Sequence, residues 1–183
     1  MVISRQLVYN KFAGDFMSKI YILGSVGSGK TTLAKRLSSE LNIPYYELDN
    51  VVWEFHPDGD IRRDLEKIEE IFLEILNQDN WIIEHVGKSF FDKGFDAADT
   101  IIYLNIPKFI LYKRVLFRWI KQNLGIENAS YKTDVKMLKQ MFEWVNKDLN
   151  DSKLDKLQSY EEKLEILDEK EVKRYKYKFS KKQ

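Results

Sequence analysis

The chain has 183 residues, with 30 Lys and Arg against 29 Asp and Glu, two His and no Cys. That length suits one domain with a single core, and 44% hydrophobic with 32% charged residues excludes a wholly disordered chain. The formal charge of +1 argues against a strongly basic nucleic-acid binder. The lack of cysteine removes disulfide scaffolds, thiolate zinc sites and thiol nucleophiles, and fits a reducing, cytoplasmic setting.

No run approaches the roughly 18 apolar residues that a membrane span needs. Residues 1–16 carry no continuous apolar run and are read as an N-terminal arm, or as an extension ahead of an alternative start at Met17. Ile20–Leu23 is a buried-strand run stopped by Gly24. Leu33, Ala34, Leu37 and Leu41 then follow helical spacing, and Asn42 and Pro44 mark the end of that helix. Tyr45–Leu48 reads as a second strand, and His56–Asp60 as a turn cluster. Leu65, Ile68, Ile71, Phe72, Ile75 and Leu76 keep the 3.6-residue period of a helix that Arg62 and Arg63 would open. Trp81–Ile83 and Thr100–Leu104 are two more buried strands, followed by helices over Phe109–Ile120 and Val135–Val145. A weaker strand at Leu164–Leu167 precedes a basic helix, with seven Lys and Arg against two Glu from Glu169 to Gln183. Strands alternating with helices predict one α/β domain with a parallel sheet, spanning residues 17–176 ahead of a basic tail at 177–183.

Gly24-Ser25-Val26-Gly27-Ser28-Gly29-Lys30-Thr31 matches G-x-x-x-x-G-K-[ST] at every position. A chance match in a chain this long has a probability of about one in a hundred or less. Here the motif also falls after a strand and before a helix, as a phosphate loop must. Its glycines let successive N–H groups converge on phosphate oxygens, and the following helix N-terminus faces the same anion. Lys30 is placed to neutralise the β- and γ-phosphates, Thr31 to ligate Mg²⁺ through its hydroxyl, and Thr32 to line the donor site.

Phosphoryl transfer also calls for acidic groups near the metal and acceptor, and for cations around the moving charge. In parallel sheets these lie at the carboxyl ends of strands. Asp49, after the second strand, is the candidate to orient or deprotonate an acceptor hydroxyl, with Glu47 on the same strand face as a second possibility. Glu84, ending the third strand, is the candidate to orient Mg²⁺. His85 beside it is a weaker candidate for substrate contact. Arg114 and Arg118, four apart on a helix, share one face and could clamp donor phosphates. Arg62, Arg63 and Trp53 are the candidate acceptor contacts.

Lys19–Gly24 running into Ser28–Ala34 resembles the opening of small P-loop kinases of the adenylate kinase and shikimate kinase kind. Tyr45–Asp49 with Trp53, Trp81–Ile83, Ala98–Leu104 and Arg114…Arg118 are similar to a kinase-like family named for DNA topology modulation. The resemblance covers roughly residues 18–170. It implies a three-layer P-loop fold with a five-stranded parallel sheet in the order 2-3-1-4-5, and a small helical lid carrying Arg114 and Arg118. It also implies an acidic residue at Asp49. The chain departs from that family at Glu84-His85-Val86-Gly87, where Asp-Gly is usual, and at Lys93, Asn105 and Lys108.

The expected activity is ATP- and Mg²⁺-dependent transfer of a phosphoryl group to a small-molecule acceptor, a nucleotide or nucleoside. The alternative is an ATP-binding module, non-catalytic or weakly hydrolytic, that acts through a protein partner. A guanine-reading switch is disfavoured, because Asn146-Lys147-Asp148-Leu149 lacks the N-K-x-D spacing. Neither membrane association nor direct nucleic-acid binding is expected, and the chain is read as a monomer or homodimer.

Overall fold

In a computed structural model, the described residues are 18–54, 56, 59–127, 133–147 and 152–178. The proposed arm at 1–16 and the end of the tail, 179–183, lie outside them. The strands are β1 (Lys19–Gly24), β2 (Tyr45–Glu47), β3 (Trp53–Glu54), β4 (Ile61–Arg62), β5 (Trp81–His85), β6 (Thr100–Leu104) and β7 (Leu164–Leu167). The helices are α1 (Lys30–Leu41), α2 (Leu48–Val52), α3 (Leu65–Leu76), α4 (Lys93–Ala97), α5 (Lys108–Asn123), α6 (Val135–Lys147), α7 (Ser152–Gln158) and α8 (Glu169–Arg174).

Five strands form one parallel sheet in the order β2-β5-β1-β6-β7. Counted among themselves these strands run 2-3-1-4-5; the labels differ only because the small β3-β4 hairpin intervenes in the chain. Alternation along β1 explains the layers. Ile20 and Ile22 pack with Leu33, Leu37, Ile82, Ile102, Leu111 and Val115 on one side. Tyr21 and Leu23 pack with Phe72, Trp81, Ile83, Phe91, Phe95 and Ile101 on the other. Both faces of the central strands β5, β1 and β6 are therefore covered, which is why they read as largely continuous apolar runs, whereas the edge strands β2 and β7 are partly exposed.

Two boundary differences bear on the site. Leu48 begins α2 instead of ending a strand, so Asp49 sits in a first helical turn. Arg62 lies in β4 opposite Trp53, and the following helix starts later, at Leu65, with the Asp64 carboxylate accepting the Lys67 N–H at 2.7 Å. An aspartate ahead of an apolar helical period is a strong N-cap, and it takes that role from the two arginines before it. At the C-terminal end Tyr175 and Tyr177 pack against the core, with the Tyr177 and Thr100 hydroxyls 3.3 Å apart.

Candidate active site

The loop between β1 and α1 brings the whole motif to the carboxyl edge of the sheet. Gly24 leaves β1 where a Cβ would lie 2.7 Å from Ser28 Oγ and 3.0 Å from Leu104 Cβ, so no larger residue fits. Gly29 caps α1 at φ 100°, a left-handed conformation that favours glycine. Among the described residues, the N–H groups of Val26, Gly27 and Gly29 have no hydrogen-bond acceptor. Unpaired donors at a helix N-terminus are a ready anion site. Lys30 is 9% exposed, and its ammonium donates to the Ser25 carbonyl at 3.1 Å, folded back over the loop. Thr32 follows on α1 as an exposed residue.

Glu84 closes the other side of this ammonium. It is 7% exposed, its Oε2 lies 3.9 Å from Lys30 Nζ, and its Oε1 accepts the Thr31 hydroxyl at 2.8 Å. Burial pushes its carboxyl above the usual glutamate range against the pull of Lys30 and Thr31, and the negative charges of Glu47 and Asp49 push it further. The strand register explains the crowding: Glu47 and Glu84 are directly paired on adjacent parallel strands and share a face. Glu47 faces Lys35 of α1 at 3.9 Å. His85, next along β5, points to the opposite layer, where its ring meets Phe91 edge-on and Nδ1 accepts the Gly87 N–H at 3.1 Å.

Arg114 reaches the loop from α5. Its Nη1 donates to the carbonyls of Ser28 at 2.9 Å and Gly27 at 3.3 Å, and its Nη2 pairs with Glu169 at 3.1 Å. Arg118, one turn further on, donates to Met141 Sδ of α6 at 3.8 Å. Both arginines line an open groove of about 550 Å³ with Phe109, Lys113, Phe117 and Lys121. α5 carries five Lys and Arg and no Asp or Glu, a concentration hidden in the balanced total of the chain.

The acceptor-side candidates are less gathered. Asp49 is exposed and makes no side-chain hydrogen bond among the described residues, although it lies near enough to Glu84 to raise its pKa. Trp53 and Arg62 stand opposite one another on the hairpin, both exposed. Arg63 turns inward instead. Its Nη1 donates to the carbonyls of Asn50, Val51 and Trp53 at 2.7, 3.2 and 2.9 Å, tying down the end of α2. Sequence reasoning missed a small cavity of about 30 Å³ beside Gly24 and Ser25, closed by Val86, Gly87, Tyr103 and the ion pair of Lys156 with Asp92. Only the glycine after β5 hinted at it, since the pair joins residues 64 positions apart.

A parallel sheet in this order, with a glycine loop feeding a helix at its central strand, defines the P-loop kinase fold. Residues 20–133 match the family model described as an AAA domain (AAA_18), and the chain belongs to that family. It is 35% identical over 114 residues to the cytidylate kinase of Sulfolobus acidocaldarius, covering 55% of this chain and 61% of that one. It is 30% identical over 113 residues to the shikimate kinase of Bacteroides fragilis, covering 54% and 62%. The chain thus spans about three fifths of the length of the curated relatives it matches. Among solved structures, shikimate kinase from Bacteroides thetaiotaomicron superposes with a TM-score of 0.52 at 18% identity, over 85% of this chain and 94% of that one, a likeness of fold. No helix among the described residues is long and apolar enough to cross a membrane.

Proposed function

We propose that this protein transfers the γ-phosphoryl group of ATP, with Mg²⁺, to a small-molecule acceptor, a nucleotide or nucleoside. The observation that carries the reading is the constellation of Lys30, Thr31 and Glu84, locked together at the mouth of a loop with unpaired N–H donors. The kinship with a cytidylate kinase and a shikimate kinase supports small-molecule phosphoryl transfer. Within the family, Tyr45–Asp49, Trp53 and the Arg114…Arg118 pair favour the branch named for DNA topology modulation.

The donor set suits Mg²⁺, which takes hard oxygen ligands and is held by one or two protein groups together with substrate phosphates. The Thr31 hydroxyl and the Glu84 carboxylate are gathered by a 2.8 Å hydrogen bond, so two hard-oxygen groups stand together beside the loop. Thr31 would ligate it and Glu84 would orient it, and when bound the ion neutralises charge on the β- and γ-phosphates. The loop N–H groups hold the phosphate oxygens, and Lys30 swings from Ser25 and Glu84 to the same charge. Arg114 and Arg118 border the site from α5. The acceptor oxygen attacks the γ-phosphorus as the bond to the β-phosphate oxygen breaks and ADP leaves. For a hydroxyl acceptor the proton goes to the Asp49 carboxylate, whose exposure leaves it open to the substrate. Trp53 and Arg62 on the hairpin are the proposed acceptor contacts, while the anchoring of Arg63 assigns it to holding α2 in place.

The test is Mg²⁺-dependent ADP release from ATP over nucleoside monophosphates, nucleosides and small alcohols, beside a Lys30→Ala control. Acceptor-stimulated release that the variant loses establishes a kinase and its substrate class. Tight ATP binding without stimulated release overturns the catalytic reading in favour of a regulatory ATP-binding module.

A further inference from the structure

Arg114 donates to three acceptors, and their placement has a chemical consequence. The Ser28 carbonyl, 2.9 Å from Nη1, belongs to the same peptide unit as the Gly29 N–H. That N–H is one of the loop donors with no acceptor among the described residues. A cation on the oxygen end of a peptide polarises it and strengthens the donor at the other end. The guanidinium therefore acts on the loop through the peptide, from the carbonyl end opposite the Gly29 N–H.

Glu169 fixes that guanidinium. Its Oε1 accepts from Arg114 Nη2 at 3.1 Å and from Lys173 Nζ at 3.2 Å. The carboxylate itself stands on a braced element. Asp168 caps α8 with a reciprocal bond from its own N–H to Glu171, and Leu167 accepts the Asn105 N–H at 2.9 Å. Arg36 of α1 donates to the carbonyls of Val172, Lys173 and Tyr175 at 2.9, 3.0 and 3.1 Å, tying the far end of α8 to the helix that follows the loop. α8 is thus joined to the phosphate loop twice, through Arg114 and through α1.

We propose that Glu169 is a positioning residue for the donor phosphates: it holds the Arg114 guanidinium against the Ser28 carbonyl and so strengthens the Gly29 N–H as a phosphate donor. The proposal rests on reading the loop as a nucleoside triphosphate site. It runs against the simple electrostatic expectation, in which a carboxylate near that site repels the anion and its removal tightens binding.

The experiment is titration calorimetry with inorganic tripolyphosphate and with ATP, each with Mg²⁺, on the wild type, Glu169→Ala, Glu169→Gln, Arg114→Ala and the double Glu169→Ala/Arg114→Ala variant. Thermal midpoints are measured in parallel. The alanine at 169 should weaken both ligands about five-fold, whereas the glutamine, whose amide oxygen still accepts from Nη2, stays within about two-fold of wild type. Arg114→Ala should weaken both about ten-fold, and the double variant no further, because Glu169 acts through Arg114. Unchanged or tighter binding in Glu169→Ala overturns the proposal, as does a loss that persists on the Arg114→Ala background. Weakened ATP with unchanged tripolyphosphate also overturns it, since Glu169 would then act on the nucleoside. A wild type that binds neither ligand overturns this and the nucleotide reading together. The expected pattern without stimulated ADP release supports the role of Glu169 while the kinase reading fails.

Discussion

From Gly24 to Thr31 the proposed donor side is made largely of backbone, and its charged groups are already engaged: Lys30 on Ser25 and Glu84, with Thr31 on Glu84 and Arg114 on two loop carbonyls. Across the carboxyl edge of the sheet, Asp49, Trp53 and Arg62 are exposed side chains on a five-residue helix and a two-strand hairpin. A largely pre-paired loop, the proposed donor cradle, thus faces a proposed acceptor wall of exposed side chains. The cradle owes its shape to local chain geometry that any triphosphate uses. On the proposed function the acceptor would complete that wall, where exposed side chains can change without disturbing the fold.

The largest expected effect breaks the donor side. Lys30→Ala removes the one buried ammonium in the loop and should lower ATP-dependent phosphoryl transfer by about 10³-fold, read by ADP release at saturating acceptor. A loss below ten-fold would mean that charge at the phosphates is supplied elsewhere. On the acceptor side, Asp49→Asn should lower kcat roughly 10²-fold for a hydroxyl acceptor and leave the thermal midpoint unchanged, because the side chain is exposed. Unaltered kcat would remove Asp49 from the reaction.

The two neighbouring arginines sharpen the comparison, because Arg62 is exposed on the hairpin while Arg63 turns inward onto three backbone carbonyls. Arg63→Ala removes a guanidinium that holds three carbonyls at the end of α2, and should cost about 2 kcal/mol of stability. For a domain of this size that is a fall of roughly 5 °C in Tm. Arg62→Ala, on an exposed strand position, should leave Tm within a degree or so and raise the acceptor KM. If both variants lose stability alike, the hairpin acts as one structural unit and the acceptor role of Arg62 is lost.

The same contrast explains what could be read from the residues alone. The loop is eight contiguous residues between a strand and a helix, so its type, place and chemistry are all local. The sheet was legible too, because burial on both faces wrote its central strands as short apolar runs. Glu84 could be placed because a strand end fixes a side chain within a residue or two. The anchoring role of Arg63 was hidden, since it depends on how the chain reverses through the hairpin and which carbonyls α2 leaves open. Asp64 was the available signal: an N-cap directly before the apolar period moves the helix start past both arginines. Glu169 was hidden for a different reason. It meets Arg114 across 55 residues, through a β6-β7 pairing that no local pattern announces.

The smallest effect lies where the two sides meet. Burial holds the Glu84 carboxyl above the ordinary glutamate value near 4.5, so the folded protein keeps this proton at pH values where the unfolded chain has released it. The stability this group contributes is therefore fully present below that ordinary value and is lost as pH rises through the raised folded one. Glu84→Gln keeps the shape and fixes the neutral form, and Lys30 retains the Ser25 carbonyl. The variant and wild type should melt together near pH 4, and the variant should melt increasingly higher toward pH 7, while its Mg²⁺-dependent turnover falls. Thermal midpoints across that range, without nucleotide, provide the check. A difference that does not change with pH would show that Glu84 is ionised without penalty, and that Lys30 and Thr31 fully offset its burial and the two carboxylates beside it.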